Sequence, residues 1–174
     1  WTRDNNAGTA ALDTETSRSG KAALRVQHRG AQDWSLEPEA RVTVQPGDLF
    51  ALEAWLTLAD GGNVVVCVST WDAGGKVVEW SFAERDPGPE TGWQRVRARF
   101  VVPDRVAQIQ PRLIGHGPVA VWVDDFALTP KGNVKTAGAE TAAKPLSLDS
   151  AALAVAVNPA NGTFQVTDKK AGRT

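Results

Sequence analysis

The chain has no tyrosine and no methionine, one cysteine (Cys67) and only two histidines. Each shortage removes a class of chemistry. Without Tyr there is no phenolic acid, base or nucleophile. A single Cys excludes an internal disulfide and any cysteine metal cluster, and leaves the redox compartment open. His28 and His116 stand far apart, with no Cys or His neighbour at zinc spacing. There is no Gly-x-Ser-x-Gly elbow and no phosphate loop. No apolar run approaches the roughly 18 residues of a spanning helix, and no signal-peptide pattern opens the sequence. Nineteen Lys and Arg against 20 Asp and Glu give a formal charge of -1. That balance argues against a nucleic-acid partner, which needs a basic stripe, and against a polybasic membrane anchor. At 174 residues the chain is long enough for one domain with a substantial core, and we expect an excised or processed soluble fragment.

Tryptophan is in excess: seven, against five Phe. A buried indole N–H needs a partner, so this number in a modest domain puts some indoles at a surface.

The pattern from Ala10 to Thr129 is one of short strands separated by Gly, Pro, Asp and Asn clusters. Expected strands are Lys21–His28, Arg41–Val44, Leu49–Leu58, Val64–Trp71, Lys76–Phe82, Trp93–Val102, Val106–Ile114 and Val119–Leu128. Along Leu49–Leu58 the alternation puts Phe50, Leu52, Ala54 and Leu56 on one face and Glu53, Trp55 and Thr57 on the other. Val106–Ile114 turns Gln108, Gln110 and Arg112 away from Ile109 and Leu113 in the same way. Asp72 to Gly75 is a hairpin turn. No stretch holds a helical period, and strands recur about every 10–14 residues, which points to an all-β sandwich or barrel. Residues 131–145 read as a linker. Ala151–Val157 and Thr163–Thr167 alternate around a turn and form a second hairpin, read as the truncated start of a following domain over residues 146–174.

Several pieces occur in a telling order. They are Ser19 to Val26, then Val44-Gln45-Pro46-Gly47 running into Phe50 to Trp55, then Asp72 to Gly75, Gly92 to Val96, and Val121-Trp122-Val123-Asp124-Asp125-Phe126-Ala127-Leu128. Together they resemble the jelly-roll carbohydrate-binding modules of bacterial glycanases, the group with a galactose-binding-like fold. The resemblance covers residues 8 to 129 and implies a β-sandwich jelly roll of two antiparallel sheets over residues 1–130. It implies a non-catalytic module of a secreted glycan-degrading enzyme, with polysaccharide or oligosaccharide and the parent catalytic domain as partners. The family's opening strand, which carries an acidic residue ahead of a Trp, is missing before Trp1.

A pyranose ring has a C–H-rich face that stacks on an indole, while neighbouring polar groups read its hydroxyls. If the Trp55 and Gln110 strands share a sheet, as the resemblance implies, Trp55, Glu53, Gln110 and Arg112 form such a patch. Glu53 and Arg112 could instead pair across strands. Trp34 lies in a polar segment with few apolar neighbours and is a second candidate. Trp71 and Trp80 flank the hairpin, as a sugar platform or as a cross-strand aromatic pair. His116, in a Gly-His-Gly loop near the proposed cleft, is a further candidate contact. Trp93 and Trp122 are expected to pack in the core or at the sheet junction. The resemblance also implies a structural Ca2+ held by Asp124 with main-chain oxygens near Arg18 and Lys21. In the alternative, Asp124 and Asp125 end a strand and cap nearby N–H groups. Arg95, Arg97 and Arg99 form a basic row on the sheet opposite the cleft, either solvated or suited to acidic polysaccharide. No motif marks the two facing carboxylates that a glycosidase needs, although Glu53 and Glu79 could face each other across neighbouring strands. The remaining readings are a structural sandwich that binds no sugar, and a small jelly-roll glycanase or lyase.

Overall fold

A computed structural model of the chain describes residues 7–59, 62–88, 91–137, 146–158 and 163–172. The chain divides into two compact units, Trp1–Lys131 and Gly132–Thr174.

The first unit is built from ten strands: β1 (Gly8–Asp13), β2 (Ala23–His28), β3 (Asp33–Leu36), β4 (Val42–Thr43), β5 (Asp48–Ala59), β6 (Asn63–Trp71), β7 (Val77–Arg85), β8 (Gln94–Val101), β9 (Gln108–His116) and β10 (Val119–Asn133). They form two sheets. One runs β1-β2-β10-β5-β8; the other runs β3-β9-β6-β7, with β4 also paired to β9. The β1–β2, β2–β10, β5–β8, β3–β9, β4–β9, β6–β7 and β6–β9 ladders are antiparallel. Alternation decides what lies between the sheets: Phe50, Leu52, Ala54 and Leu56 of β5 meet Val64, Val66 and Val68 of β6 and Ile109 and Leu113 of β9 in one core cluster. Phe82 of β7 meets Phe100 of β8 edge-on at 5.5 Å, so the sheets touch at that margin as well. This is the all-β sandwich expected from the alternation.

Two short edge elements escape the sequence pattern. β1 exposes most of its residues, and β3 lies in a segment too polar to signal a strand. β10 also runs further than expected, to Asn133. A left-handed residue, Asp125 (φ 49°), interrupts its alternation: Val121 and Val123 point into the core before it, and Leu128 packs on the core after it. The side-chain period slips by one there. Asp is among the few residues that adopt this conformation at low cost.

The second unit contains β11 (Leu146–Asp149), β12 (Leu153–Val157) and β13 (Phe164–Asp168), paired antiparallel in chain order. A helical turn at 134–137 lies within the segment expected as linker, of which 138–145 fall outside the described residues.

Candidate ligand-binding face

The outward face of the β3-β9-β6-β7 sheet is set by alternation from its core residues. Because Ile109 and Leu113 point inward, Gln110, Arg112, Ile114 and His116 point outward on β9. Beside them on β6, Asn63 pairs with His116, Val65 with Ile114, Cys67 with Arg112 and Ser69 with Gln110. Arg112 is only 7% exposed. Its Nη1 donates to Ser69 Oγ at 3.0 Å and to the Trp80 carbonyl at 3.4 Å, and its guanidinium lies 5.5 Å from the Trp80 ring. Glu37 neutralises it across 3.1 Å, an ion pair that falls outside hydrogen-bond geometry. Ser69 Oγ donates to the same Trp80 carbonyl at 3.1 Å. Arg112 and Ser69 therefore fix the backbone from which the Trp80 indole projects, and that indole is 60% exposed.

The Trp80 ring forms one wall of a cavity of about 650 Å3. Val65, Ile114 and Gly115 supply its apolar lining, and Asp33, Asn63 and His116 its polar one. His116 Nδ1 lies 2.8 Å from Asp33 Oδ1, and the His116 N–H donates to Asn63 Oδ1 at 2.7 Å. One exposed aromatic plane, an apolar floor and a polar rim can hold a ring with one C–H-rich face and hydroxyls at its edge.

The structure rearranges the expected site. Trp55 and Glu53 lie on β5 and Gln110 and Arg112 on β9, strands of different sheets, with side chains turned to opposite outer faces. They form no common patch. Glu53 pairs with Arg95 at 2.6 Å and Arg97 at 3.3 Å rather than with Arg112, and Trp55 carries the Arg18 guanidinium 3.8 Å from its ring centroid. Glu79, on β7, is likewise in the other sheet from Glu53. Gln110, on the outward face, is covered from solvent and donates to the Pro38 carbonyl. Trp71 and Trp80 meet edge-on across the β6–β7 hairpin at 6.3 Å, but Trp71 is buried beneath Arg41, so Trp80 alone of the pair presents its plane. Trp34 is a core residue, 2% exposed, that also borders the cavity. Its apolar surroundings come from distant strands, and Gly115 of β9 leaves room for its ring. His116, expected in a loop, is instead the last residue of β9 and lines the cavity. Trp93 and Trp122 lie outside the buried core. Trp122 is half-buried on the other sheet's outer face, with Nε1 donating to Asp13 at 2.7 Å and Arg25 5.2 Å from the ring. Asp33 and Asn63 were missed, because each becomes a cavity residue only through its pairing with β9.

At the calcium position, Asp124 Oδ2 accepts the backbone N–H groups of Arg18 and Ser19 at 2.8 and 3.0 Å, and Oδ1 accepts that of Asp125 at 2.7 Å. Burial opposes ionisation of this carboxyl, but the three N–H donors outweigh it and hold its pKa below the ordinary value. N–H groups aimed at a carboxylate repel a cation there, and three of its roughly four lone-pair sites are taken. Arg18 further pairs with Asp125 at 2.6 Å. Calcium takes about 6–8 oxygens. Among the described residues no group of three or more His, Cys, Asp or Glu comes together to hold a metal. Asp124, the expected ligand carboxylate, therefore fits capping of the Arg18–Ser19 turn from within β10 better than a calcium cage.

No protein-family model and no curated protein matches the chain. Solved structures do. The xylan-binding domain CBM22-1 of Paenibacillus barcinonensis Xyn10C superposes over 72% of this chain and 83% of its own, at TM-score 0.54 and 14% identity. The fold is that of the jelly-roll carbohydrate-binding modules. The CBM22-1-GH10 modules of a Clostridium thermocellum xylanase, solved with xylohexaose, match 72% of this chain and 25% of theirs, at TM-score 0.54 and 16% identity. The fold also occurs in an enzymatically active tailspike domain of bacteriophage CBA120, matching 71% of this chain and 18% of that one, at TM-score 0.52 and 12% identity. Such a fold hosts several functions, so the site must carry the functional argument.

Proposed function

We propose that this carbohydrate-binding-module fold is a non-catalytic glycan binder that docks a parent glycan-degrading enzyme, working outside the cell, on polysaccharide. The observation that carries the reading is the exposed Trp80 indole, pinned by Arg112 and Ser69 at the wall of the cavity with Asp33, Asn63 and His116 on its rim. A sugar ring stacks on Trp80, while Asn63, His116 and Asp33 read its hydroxyls. The rim is preorganised by its own hydrogen bonds, which lowers the ordering cost of binding. A glycosidase needs two carboxyl groups about 5–9.5 Å apart. Among the described residues Asp33 is the one carboxylate lining the cavity, and it is engaged by His116.

Affinity electrophoresis against a panel of neutral polysaccharides tests the reading. Wild type is retarded by at least one polymer. Trp80→Ala loses that retardation by about tenfold or more, the scale of one stacking platform. Trp55→Ala, on the other sheet, migrates as wild type. A panel that retards nothing favours a purely structural sandwich, and retention lost in Trp55→Ala but kept in Trp80→Ala would move the site to the other face.

A further inference from the structure

The outer face of the opposite sheet distributes its charge unevenly. The β5–β8 ladder sets Trp55 against Arg95, Glu53 against Arg97 and Ala51 against Arg99. Glu53 is shared by Arg95 and Arg97, so Arg99 faces a methyl group where a carboxylate would balance it. The period slip at Asp125 adds a third cation. It brings Ala127 and Lys131 of β10 to the outer face beside β5. The result is a trough of about 540 Å3, lined by Ala51, Ala127, Arg97, Arg99, Lys131 and Glu53. The two alanines give it depth, and three cations surround one shared anion. Like charges gathered on neighbouring positions of a sheet repel each other. A face meant only for solvent gains from interspersed signs, for which this chain has ample acidic residues.

We propose that this trough is a second carbohydrate site, which takes the carboxylate-bearing sugars of a polyuronate chain. Arg99 offers a planar fork that matches a carboxylate with two parallel hydrogen bonds, and Lys131 offers a point charge on the facing wall. Arg97 and Arg99, two residues apart on a strand, stand about 7 Å apart and can meet successive acidic groups. The small floor lets a ring approach the backbone. The module then has two faces of different chemistry: an aromatic one centred on Trp80 and a cationic one centred on Arg99. Since the two lie on opposite sheets, either can fail without the other.

The test uses the full chain in affinity gels containing polygalacturonate, with a neutral xylan gel in parallel. Wild type is retarded by polygalacturonate, and Trp80→Ala is retarded equally. The pair Arg99→Gln with Lys131→Gln loses about tenfold or more of that retardation, and Arg99→Lys keeps part of it, because the charge stays while the fork goes. Both positions are exposed, so an unchanged thermal midpoint confirms that the variants fold. The proposal is overturned if polygalacturonate retards nothing, or if retardation survives the double substitution. It is also overturned if Trp80→Ala abolishes retardation, which puts the uronate on the other face. Equal competition by polyglutamate overturns it as well, since the trough would then be a charge patch with no preference for sugar.

Discussion

Gly115 has room for a hydrogen and nothing larger. A Cβ there would stand 2.4 Å from the Trp34 ring and from the Asn63 carbonyl, one a core side chain and the other β6 backbone. Neither can give way easily, so Gly115→Ala is expected to cost about 1–3 kcal/mol as overpacking. The reciprocal change, Trp34→Ala, empties a buried site and is expected to cost about 3–5 kcal/mol. Chemical denaturation of both variants checks the pair; wild-type stability in Trp34→Ala would remove Trp34 from the core. Cys67 is a second residue whose chemistry follows from its place. It is fully buried on β6 beside Arg112, and burial pushes its thiol pKa up to about 12. The thiolate is the reactive form, so native protein at mildly alkaline pH is expected to leave a thiol reagent unreacted until denaturant is added. Rapid labelling of native protein would contradict this burial.

At the scale of elements, β10 is tied near its middle to the turn before β2 through one carboxylate. Asp124 accepts N–H groups from Arg18, Ser19 and Asp125, and its pKa is depressed. A depressed carboxylate contributes stability that is present above its unfolded value of about 3.9 and is lost as pH falls through the folded value. Asp124→Asn is therefore expected to lower stability near neutral pH by about 1–2 kcal/mol. Thermal melts of variant and wild type should converge as the solution is acidified below the folded pKa. A gap that persists undiminished in acid would assign the effect to shape rather than to charge. The strand elements themselves were legible, because β5, β8 and β9 alternate apolar with polar side chains over much of their length, and β6 is a β-branched apolar run. β1 and β3 were not. Edge strands bury too little to impose a pattern, and the partner that makes Trp34 a core residue lies on β9, about 80 positions away. The slip at Asp125 was equally hidden, since a single left-handed residue leaves the composition of β10 untouched.

For the whole molecule, the expected calcium bears on what holds the sandwich together. The core joins residues of both sheets in one cluster, and Asp124 is already satisfied by backbone donors. Excess EDTA is therefore expected to leave the thermal midpoint in place. A fall in the midpoint that added calcium reverses would establish a structural ion at Asp124. The same whole-molecule view explains why Trp55 and Arg112 looked like partners. Each is an outward polar or aromatic position flanked by core residues, and alternation reports only that a side chain faces away from the core. It does not say on which of two sheets.

The sequence by itself determined the all-β class, the bounds of most strands and the inward half of each, because period and burial are local properties of a half-buried strand. It also marked Trp80 and His116 among the residues worth attention. Only the tertiary structure decided the rest: that β5 and β9 lie in different sheets, that Trp34 is buried and Trp71 covered, and that Trp80 presents an exposed indole at a cavity. It likewise gathered Arg97, Arg99 and Lys131 around one trough. These are outcomes of strand order and of contacts between residues distant in the chain, and a sheet's order is set by the packing of the whole core rather than by any one strand's pattern.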